Sequence, residues 1–344
     1  MMKKAPLASL AALGVLAIAL SGCGTTEVAP QDSAAPETVA SADCSTDETT
    51  TSTDPVTLTD DYGRTVELDK PAERVAVLEW QQIEDTLTLC VTPVAVADAE
   101  GYSTWDTAEV LPEGVVDVGT RQEPNLEALF ATDPDLVIVE ASSADDEVIG
   151  QLEAYGVPVL ATIGADAADP IAKMLATFDL IAQATGREER AEVVKDEFDA
   201  YLADAKGALA DADLPTTDFV FFDGWVDGGN VAIRPFGQGS LIGELGEELG
   251  LTNAWTGEVD AAYGLGQTDI EGMLAVGEAN LLHTGTEEEA EDGFMAALES
   301  NPVWESIPAV AEDRVYSFPT GIWTFGGPRS AQQIIDAYVA ALSQ

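Results

Sequence analysis

The sequence predicts an α/β protein of two Rossmann-like αβ lobes, which a long helix joins and between which a ligand cleft lies. Short apolar runs typical of parallel strands alternate with segments of helical spacing in both halves of residues 55–344. An amphipathic helical pattern from Glu188 to about Leu209 separates the two halves. The αβ unit at Gly119–Val139 also has a similar copy that starts near Gln267, which favours two related lobes.

The individual elements follow from local patterns. Val56–Asp69 alternates around a turn at Asp60–Arg64 and predicts a β-hairpin. Leu136–Val139 is a continuous apolar run, which indicates a strand that is covered on both faces. Further strands are predicted at Val75–Leu78, Val91–Ala97, Val115–Val118, Val157–Thr162, Phe219–Phe222, Leu281–Thr284 and Val315–Phe318. Helices are predicted from Trp80 to about Leu89, from Pro124, and at Val148–Tyr155, Pro170–Gln183, Ser240–Leu249, Gly293–Glu299 and Ala331–Leu342.

The first residues have the features of a secretory signal peptide. Lys3 and Lys4 precede an apolar run, Leu7–Leu20, which is shorter than the roughly 20 residues of a membrane-spanning helix. The run ends in Leu-Ser-Gly-Cys at positions 20–23, which resembles a bacterial lipobox. The resemblance implies that Cys23 is lipidated and that the protein is extracytoplasmic, with its lipid as the only membrane anchor. An ordinary secreted protein and an unprocessed N-terminal anchor are the alternatives.

The segment after Cys23 is rich in Ser, Thr, Ala, Pro and acidic residues and predicts a disordered tether, because it has too little apolar surface to bury. Cys44 in this tether and Cys90 in the body could pair outside the cytoplasm, although the sequence does not decide this. The predicted organisation is signal peptide 1–22, lipidated cysteine and tether 23–54, N-terminal lobe 55–168, helical linker 169–210 and C-terminal lobe 211–344.

Composition excludes several classes of function. A formal charge of −49 argues against nucleic acid and against an anionic membrane surface as partners. The sequence lacks HExxH and G-x-S-x-G motifs, and its single histidine, His283, lies in a predicted strand. We therefore expect neither an enzyme nor a metal site or cofactor held by the protein itself.

Aromatic and arginine side chains follow the predicted strands. In open parallel sheets, ligands bind beyond the carboxyl ends of the strands. Tryptophan contributes contact area and arginine contributes forked hydrogen bonds, which together suit a large ligand with aromatic groups or chelating oxygens. The candidate ligand-binding residues are Trp80, Arg121, Trp225 and Trp323, each within five residues after a predicted strand, and Tyr102, Trp105, Arg234 and Tyr263 in neighbouring loops.

The repeated αβ unit presents one glutamate in each copy. Glu127 lies in the first turn of the helix that Pro124 and Asn125 open, where an acidic residue complements the helix dipole. In the second copy, Thr268 and Glu271 have the spacing of a capping box at a helix start. Aligning the copies places Glu127 on Glu271.

Two motifs carry a resemblance to a known family. Gly119-Thr-Arg-Gln-Glu-Pro-Asn-Leu-Glu127 and Trp323-Thr-Phe-Gly-Gly-Pro-Arg-Ser-Ala331 resemble the substrate-binding lipoproteins of ABC importers for ferric siderophores. This family has two αβ lobes joined by a long helix, the class III arrangement of periplasmic binding proteins, and also serves cobalamin and haem.

The resemblance implies specific roles. Arg121 would contact the iron-bound chelate, and Glu127 and Glu271 would form salt bridges to a permease dimer that works with separate ATPase subunits. The protein would act as a monomer and bind iron only through the chelate. Cobalamin remains an alternative ligand, haem is a weaker one because His283 stands alone, and a surface ligand sensor without a transport role is an alternative of another class.

Overall fold

The computed structural model describes residues 44–227, 230–283 and 293–343. The predicted signal peptide, Cys23 and the first part of the predicted tether lie outside the described residues. Within the described part of the chain, none of the helices combines the length and apolar character that crossing a bilayer requires.

The N-terminal lobe is a five-stranded parallel sheet that follows a small antiparallel hairpin. The hairpin strands are β1 (Val56–Thr59) and β2 (Thr65–Leu68). The sheet has the order β5-β4-β3-β6-β7, with β3 at Val75–Val77, β4 at Ala95–Val96, β5 at Val116–Asp117, β6 at Leu136–Glu140 and β7 at Val159–Thr162. Its helices are α1 (Trp80–Thr88), α2 (Ala99–Trp105), α3 (Leu126–Ala131) and α4 (Glu147–Glu153).

Strand β6 shows why the sequence predicts the strands of this sheet so clearly. Leu136 and Ile138 enter one hydrophobic core, and Val137 and Val139 enter another on the opposite face of the sheet. Since both faces are covered, residues 136–139 of this strand are all apolar, as predicted.

The C-terminal lobe has a related sheet of four parallel strands and one antiparallel strand. Parallel strands run in the order β10-β8-β11-β12, and β9 pairs antiparallel with β8. The strands are β8 (Asp218–Asp227), β9 (Asn230–Phe236), β10 (Thr252–Asn253), β11 (Asn280–His283) and β12 (Val315–Ser317). The strand predicted at Phe219–Phe222 is too short, because β8 continues beyond its parallel neighbours and pairs with β9 as a long hairpin.

Two helices connect the lobes and share both cores. They are α5 (Pro170–Thr185) and α6 (Glu188–Ala210). Phe178 of α5 and Val194 of α6 are buried in the first-lobe core, whereas Met174 of α5 and Phe198 of α6 are buried in the second-lobe core. Because each helix is packed into both lobes, relative lobe movement has to bend or shear a buried helix. The remaining helices are α7 (Leu241–Glu248), α8 (Phe294–Glu299), α9 (Pro308–Ala311) and α10 (Pro328–Leu342).

The tether predicted over residues 23–54 ends too late in the chain, because residues 44–54 are fixed to the folded body. Cys44 and Cys90 form a disulfide, which resolves the open question about these cysteines. The amide of Ser52 donates 2.8 Å to the carbonyl of Gly186, the residue that follows α5. The buried guanidinium of Arg187 pairs with Asp47. Composition alone cannot order this segment, but a covalent link and a buried arginine hold residues 44–54 against the first lobe.

The second copy of the αβ unit does not begin with a capping box. Residues Gly272–Val276 form a short 3₁₀ helix with no side-chain capping hydrogen bond at Glu271, and Asp269 accepts a hydrogen bond from the Gly272 amide at 3.0 Å. The backbone of Thr268 instead pairs with Ile233 of β9. The loop predicted around Tyr102 and Trp105 is also wrong, since α2 covers both residues.

A buried carboxylate ties the two lobes together behind the cleft. Glu84 of α1 accepts hydrogen bonds from the amides of Gly327 (2.8 Å), Arg329 (3.0 Å) and Ser330 (2.9 Å) and from the Ser330 hydroxyl (2.6 Å), all at the start of α10. Acidic side chains are favoured at helix N-termini, which fits the position of Glu84. The neighbouring carboxyl of Asp85 is fully buried, and burial together with the charge of Glu84 raises its pKa well above the usual value.

Candidate ligand cleft

The carboxyl ends of the two sheets face one another and line a pair of adjoining cavities. The first has a volume of about 320 Å³ and is lined by Trp80, Trp105, Arg121, Asp223, Gly224, Trp225, Arg234, Phe294, Ile322, Trp323 and Thr324. The second, of about 250 Å³, shares Arg121, Arg234 and Trp323 and adds Glu79, Gln81, Glu140, Gly164, Tyr263, Leu265 and Phe325. Both lobes contribute to each cavity, as expected for strand ends in parallel sheets.

Arg121 lies at the centre of this cleft and follows β5. Its guanidinium carbon stacks 3.7 Å from the centroid of the Trp80 ring and lies 5.9 Å from that of Trp323. The guanidinium pairs with Glu79, and its Nε lies 3.8 Å from Asp98. Glu79 is itself oriented because it caps α1, accepting a 2.9 Å hydrogen bond from the Trp80 amide. Stacking and ion pairing thus hold Arg121 in place before any ligand is present.

Arg234 faces Arg121 from the second lobe. It is the cross-strand partner of Asp223 in the β8–β9 hairpin, and its Nε donates 2.9 Å to that carboxylate, which also receives a hydrogen bond from a terminal nitrogen of Arg234. Burial raises the pKa of Asp223, although Arg234 opposes this shift. The paired geometry is the planar, two-point interaction that arginine forms with carboxylates.

Tyr263 crosses the cleft from the second lobe to the first. Its hydroxyl donates 2.9 Å to Glu140, which ends β6. Gly164 makes room for it, since a Cβ at that position would lie 2.2 Å from the tyrosine hydroxyl. Burial and the nearby charge of Glu79 raise the pKa of Glu140 to about 7. Burial and the Glu140 carboxylate in turn raise the pKa of Tyr263.

The cleft carries a continuous aromatic surface. Trp80 and Trp323 meet edge to face with their centroids 4.7 Å apart, and Trp323 and Phe325 do so at 5.1 Å. Trp225 projects from the hairpin with 46% of its surface exposed. Trp105 is half-buried at the rim of the first cavity.

Tyr102 does not reach the cleft, so its prediction as a ligand-binding residue is wrong. It lies on the inner face of α2, completely buried in the first-lobe core, and its hydroxyl donates 2.8 Å to the carbonyl of Glu109. The sequence pattern missed this because a short helix occupies the predicted loop. Of the eight predicted residues, the structure places the other seven in the lining of the cavities.

Sequence reasoning missed the acidic and several of the apolar lining residues. Glu79, Glu140 and Asp223 escaped notice because acidic residues are abundant throughout the chain. A usable signal existed for Glu79 and Glu140, since each directly follows or ends a predicted strand. Phe325 lies in the same motif as Trp323, two residues further on, so the reasoning that predicts Trp323 as a ligand-binding residue applies to Phe325 as well.

The remaining predicted positions lie away from the cavities. Glu127 in the first turn of α3 and Glu271 at the start of the 3₁₀ helix are both exposed, and each lies at the start of a helix that precedes a parallel strand, β6 or β11. His283 lies in β11, as predicted, among the rings of Phe222 and Phe294. Burial lowers the pKa of His283 to about 4, so it is neutral at pH 7.

Comparison with known proteins places the chain in a family. The model of a periplasmic binding protein family matches residues 75–320. This chain belongs to that family. The fold of this periplasmic binding protein is that of class III members, as the paired lobes and shared helices indicate.

Several relatives are similar along most of their length. The iron(3+)-hydroxamate-binding protein FhuD of Escherichia coli is 26% identical over 266 residues, which cover 76% of this chain and 84% of the relative. The Fe(3+) dicitrate-binding periplasmic protein FecB of the same organism is 27% identical over 276 residues, covering 78% and 83%. The crystal structure of Vibrio cholerae FhuD with Fe³⁺-Desferal superposes with a TM-score of 0.65 at 24% identity, covering 78% of this chain and 97% of that one.

Proposed function

We propose that this periplasmic binding protein captures a ferric siderophore between its lobes and delivers it to the permease of an ABC importer. The central observation is Arg121, held against Trp80 at the meeting point of the two sheets, with an aromatic surface around it. A guanidinium and aromatic planes suit a chelate that presents oxygens around iron and organic surface beyond them. Relatives named for iron(3+)-hydroxamate and Fe(3+) dicitrate support the same ligand class.

The iron is expected to arrive within its chelate rather than as a free ion. In residues 44–227, 230–283 and 293–343, no three His, Cys, Asp or Glu side chains form a group suited to holding a metal ion. The lining of the cavities is instead dominated by aromatic and paired polar side chains. Recognition would therefore address the outer surface of the chelate, with no catalytic step and no cofactor.

Delivery would use surfaces outside the cleft. Glu127 and Glu271 are both exposed, one in each lobe, which suits a pair of basic sites on a permease dimer. In this proposal Cys23 carries the lipid that anchors a monomeric binding protein to the membrane, and separate subunits hydrolyse ATP.

Tryptophan fluorescence tests the capture step. Ferric trihydroxamate, ferric citrate, ferric tris-catecholate, cobalamin and haem would be titrated separately, with iron-free chelators as controls. We expect a ferric siderophore to quench the emission and its iron-free form to bind more weakly. The proposal fails if no ferric siderophore gives a fluorescence or calorimetric signal, or if only cobalamin or haem does.

Arg121→Ala tests the residue on which the proposal depends. Hydrogen bonds to charged groups contribute about 1.5–3 kcal/mol, so its loss should weaken binding roughly ten- to hundredfold. Lys206→Ala is the matched control, since Lys206 is an exposed cation on α6 outside the cavities. Equal affinities of the two variants would contradict the role of Arg121.

A further inference from the structure

The arginines of the cleft are already paired with carboxylates of the protein. Arg121 is held by Glu79, with Asp98 3.8 Å away, and Arg234 is held at two points by Asp223. The guanidinium charges are thus largely offset before a ligand enters. An anionic ligand would have to compete with these carboxylates for the same donors.

A further carboxylate gives the cleft an acidic balance. Glu140 lines the second cavity and receives its hydrogen bond from the neutral hydroxyl of Tyr263. Among the described residues that line the two cavities, two arginines stand against three carboxylates, Glu79, Asp223 and Glu140. The lining therefore carries one net negative charge when Glu140 is ionised and none when it is protonated. The formal charge of −49 on the whole chain adds to the repulsion of anions.

Ferric siderophores differ in charge according to their chelating groups. Three hydroxamates, each with one negative charge, balance Fe³⁺ and give a neutral complex, which becomes cationic when the chain carries a free amine. Three catecholates, each with two negative charges, give a complex of charge −3. Such an anion in a partly enclosed cleft of low dielectric would be repelled by the unbalanced carboxylate.

We infer that the paired arginines and the additional carboxylate make this cleft selective for neutral or cationic ferric chelates of the trihydroxamate type, against anionic catecholates and carboxylates. This inference rests on the proposed function and specifies its ligand class. The aromatic surface from Trp80, Trp323 and Phe325 supplies the contact area for such a weakly charged ligand.

Glu140 makes the discrimination dependent on pH. The titratable and charged groups around it are Glu79, Tyr62, Tyr263, Arg121 and Lys173, and burial and Glu79 together raise its pKa to about 7. Below pH 7 the carboxyl is mostly protonated and the cleft lining is close to neutral. Above pH 7 it ionises, so the preference for cationic over anionic ligands should increase.

A charge series on one iron centre tests the inference. The ferric complexes of desferrioxamine B, its N-acetyl derivative and its N-succinyl derivative share the trihydroxamate centre and carry terminal charges of +1, 0 and −1. Affinities would be measured by tryptophan quenching at pH 6 and pH 8, together with ferri-bacillibactin as the tris-catecholate. We expect affinity to fall along the series by roughly three- to tenfold per unit charge at low salt, more at pH 8 than at pH 6. The catecholate should bind most weakly.

Two variants and a matched control separate the charge of the cleft from that of the whole protein. The quantity compared is the ratio of the affinity for the desferrioxamine B complex to that for its N-succinyl derivative. Glu140→Gln should lower this ratio at pH 8 to the value that the unaltered protein has at pH 6. Asp223→Asn should lower the ratio at both pH values. Glu192→Gln makes the same charge change on the exposed face of α6 and should leave the ratio unaltered. Circular dichroism would confirm that each variant is folded.

The outcomes distinguish the inference from the proposed function. If ferri-bacillibactin or the succinyl complex binds most tightly, or if neither cleft variant changes the ratio, the charge selectivity is refuted while siderophore capture stands. If none of the four ferric complexes binds but ferric citrate does, the inference is refuted and siderophore capture stands; if ferric citrate also gives no signal, the proposed function fails and the inference falls with it.

Discussion

Replacing Glu84 by alanine should destabilise the protein strongly, because this side chain joins α1 of the first lobe to α10 of the second. Glu84 is completely buried and accepts four hydrogen bonds at 2.6–3.0 Å from Gly327, Arg329 and Ser330. Alanine would leave the three amides at the start of α10 facing a cavity in the protein interior.

The size of the effect follows from those contacts. A buried donor left without a partner costs about 1–3 kcal/mol, which for three amides gives a gross loss of roughly 3–9 kcal/mol. Removing Glu84 also relieves its repulsion of the buried carboxyls of Asp85 and Asp106, whose pKa values burial and Glu84 raise well above the usual range. We therefore expect a net loss of about 3–5 kcal/mol in the free energy of unfolding, which is the range found when one partner of a buried charge interaction is removed.

Urea unfolding at pH 7, followed by circular dichroism, measures this loss. Glu192→Ala on the exposed face of α6 is the matched control and should change stability by less than about 0.5 kcal/mol. A loss below about 1 kcal/mol for Glu84→Ala would refute the view that this carboxylate joins the lobes.

Three further predictions concern other parts of the molecule. Asp85→Asn should stabilise the protein more at pH 8 than at pH 5. A carboxyl with a raised folded-state pKa loses its contribution to stability as the pH rises, so its replacement by a neutral amide helps most at high pH. Equal effects in urea unfolding at both pH values would contradict this. Replacing Cys44 and Cys90 by serine removes a link across a sequence separation of 46 residues, so stability should fall by about 2–4 kcal/mol. In this double variant, limited proteolysis should cut within residues 44–54. Unchanged resistance to the protease would contradict the role of the disulfide in holding this segment against the first lobe. Glu127→Ala combined with Glu271→Ala should abolish uptake of iron-labelled chelate while leaving the affinity of the protein for the chelate unchanged. A loss of that affinity would contradict the proposal that these residues contact the permease and not the ligand.

Much of the fold could be predicted from the sequence because parallel strands are covered on both faces. The continuous apolar run at β6 needs no knowledge of distant residues, and the same holds for the helical pattern of α6. Arg121, Trp80 and Trp323 were found because each follows a strand whose carboxyl end faces the cleft. These features are local in sequence, and simple geometry connects them to the site.

The features that the sequence missed depend on contacts between distant residues. Whether Tyr102 points into the core or the cleft depends on how a short helix packs, and the length of β8 depends on pairing with β9. The charge balance of the cleft is a further case, since nothing local indicates that Glu79 pairs with Arg121 or that Glu140 meets Tyr263. In a chain with 63 acidic residues, only the tertiary structure shows which of them face the cleft.

The most direct test of siderophore capture is a crystal structure of the protein with the ferric siderophore that quenches its tryptophan emission most strongly, measured at the iron absorption edge. The proposal predicts one strong anomalous peak between the lobes, beside Arg121 and within the aromatic surface formed by Trp80, Trp225 and Trp323. An iron peak outside the cleft, or a cleft without iron in crystals saturated with the chelate, would contradict it.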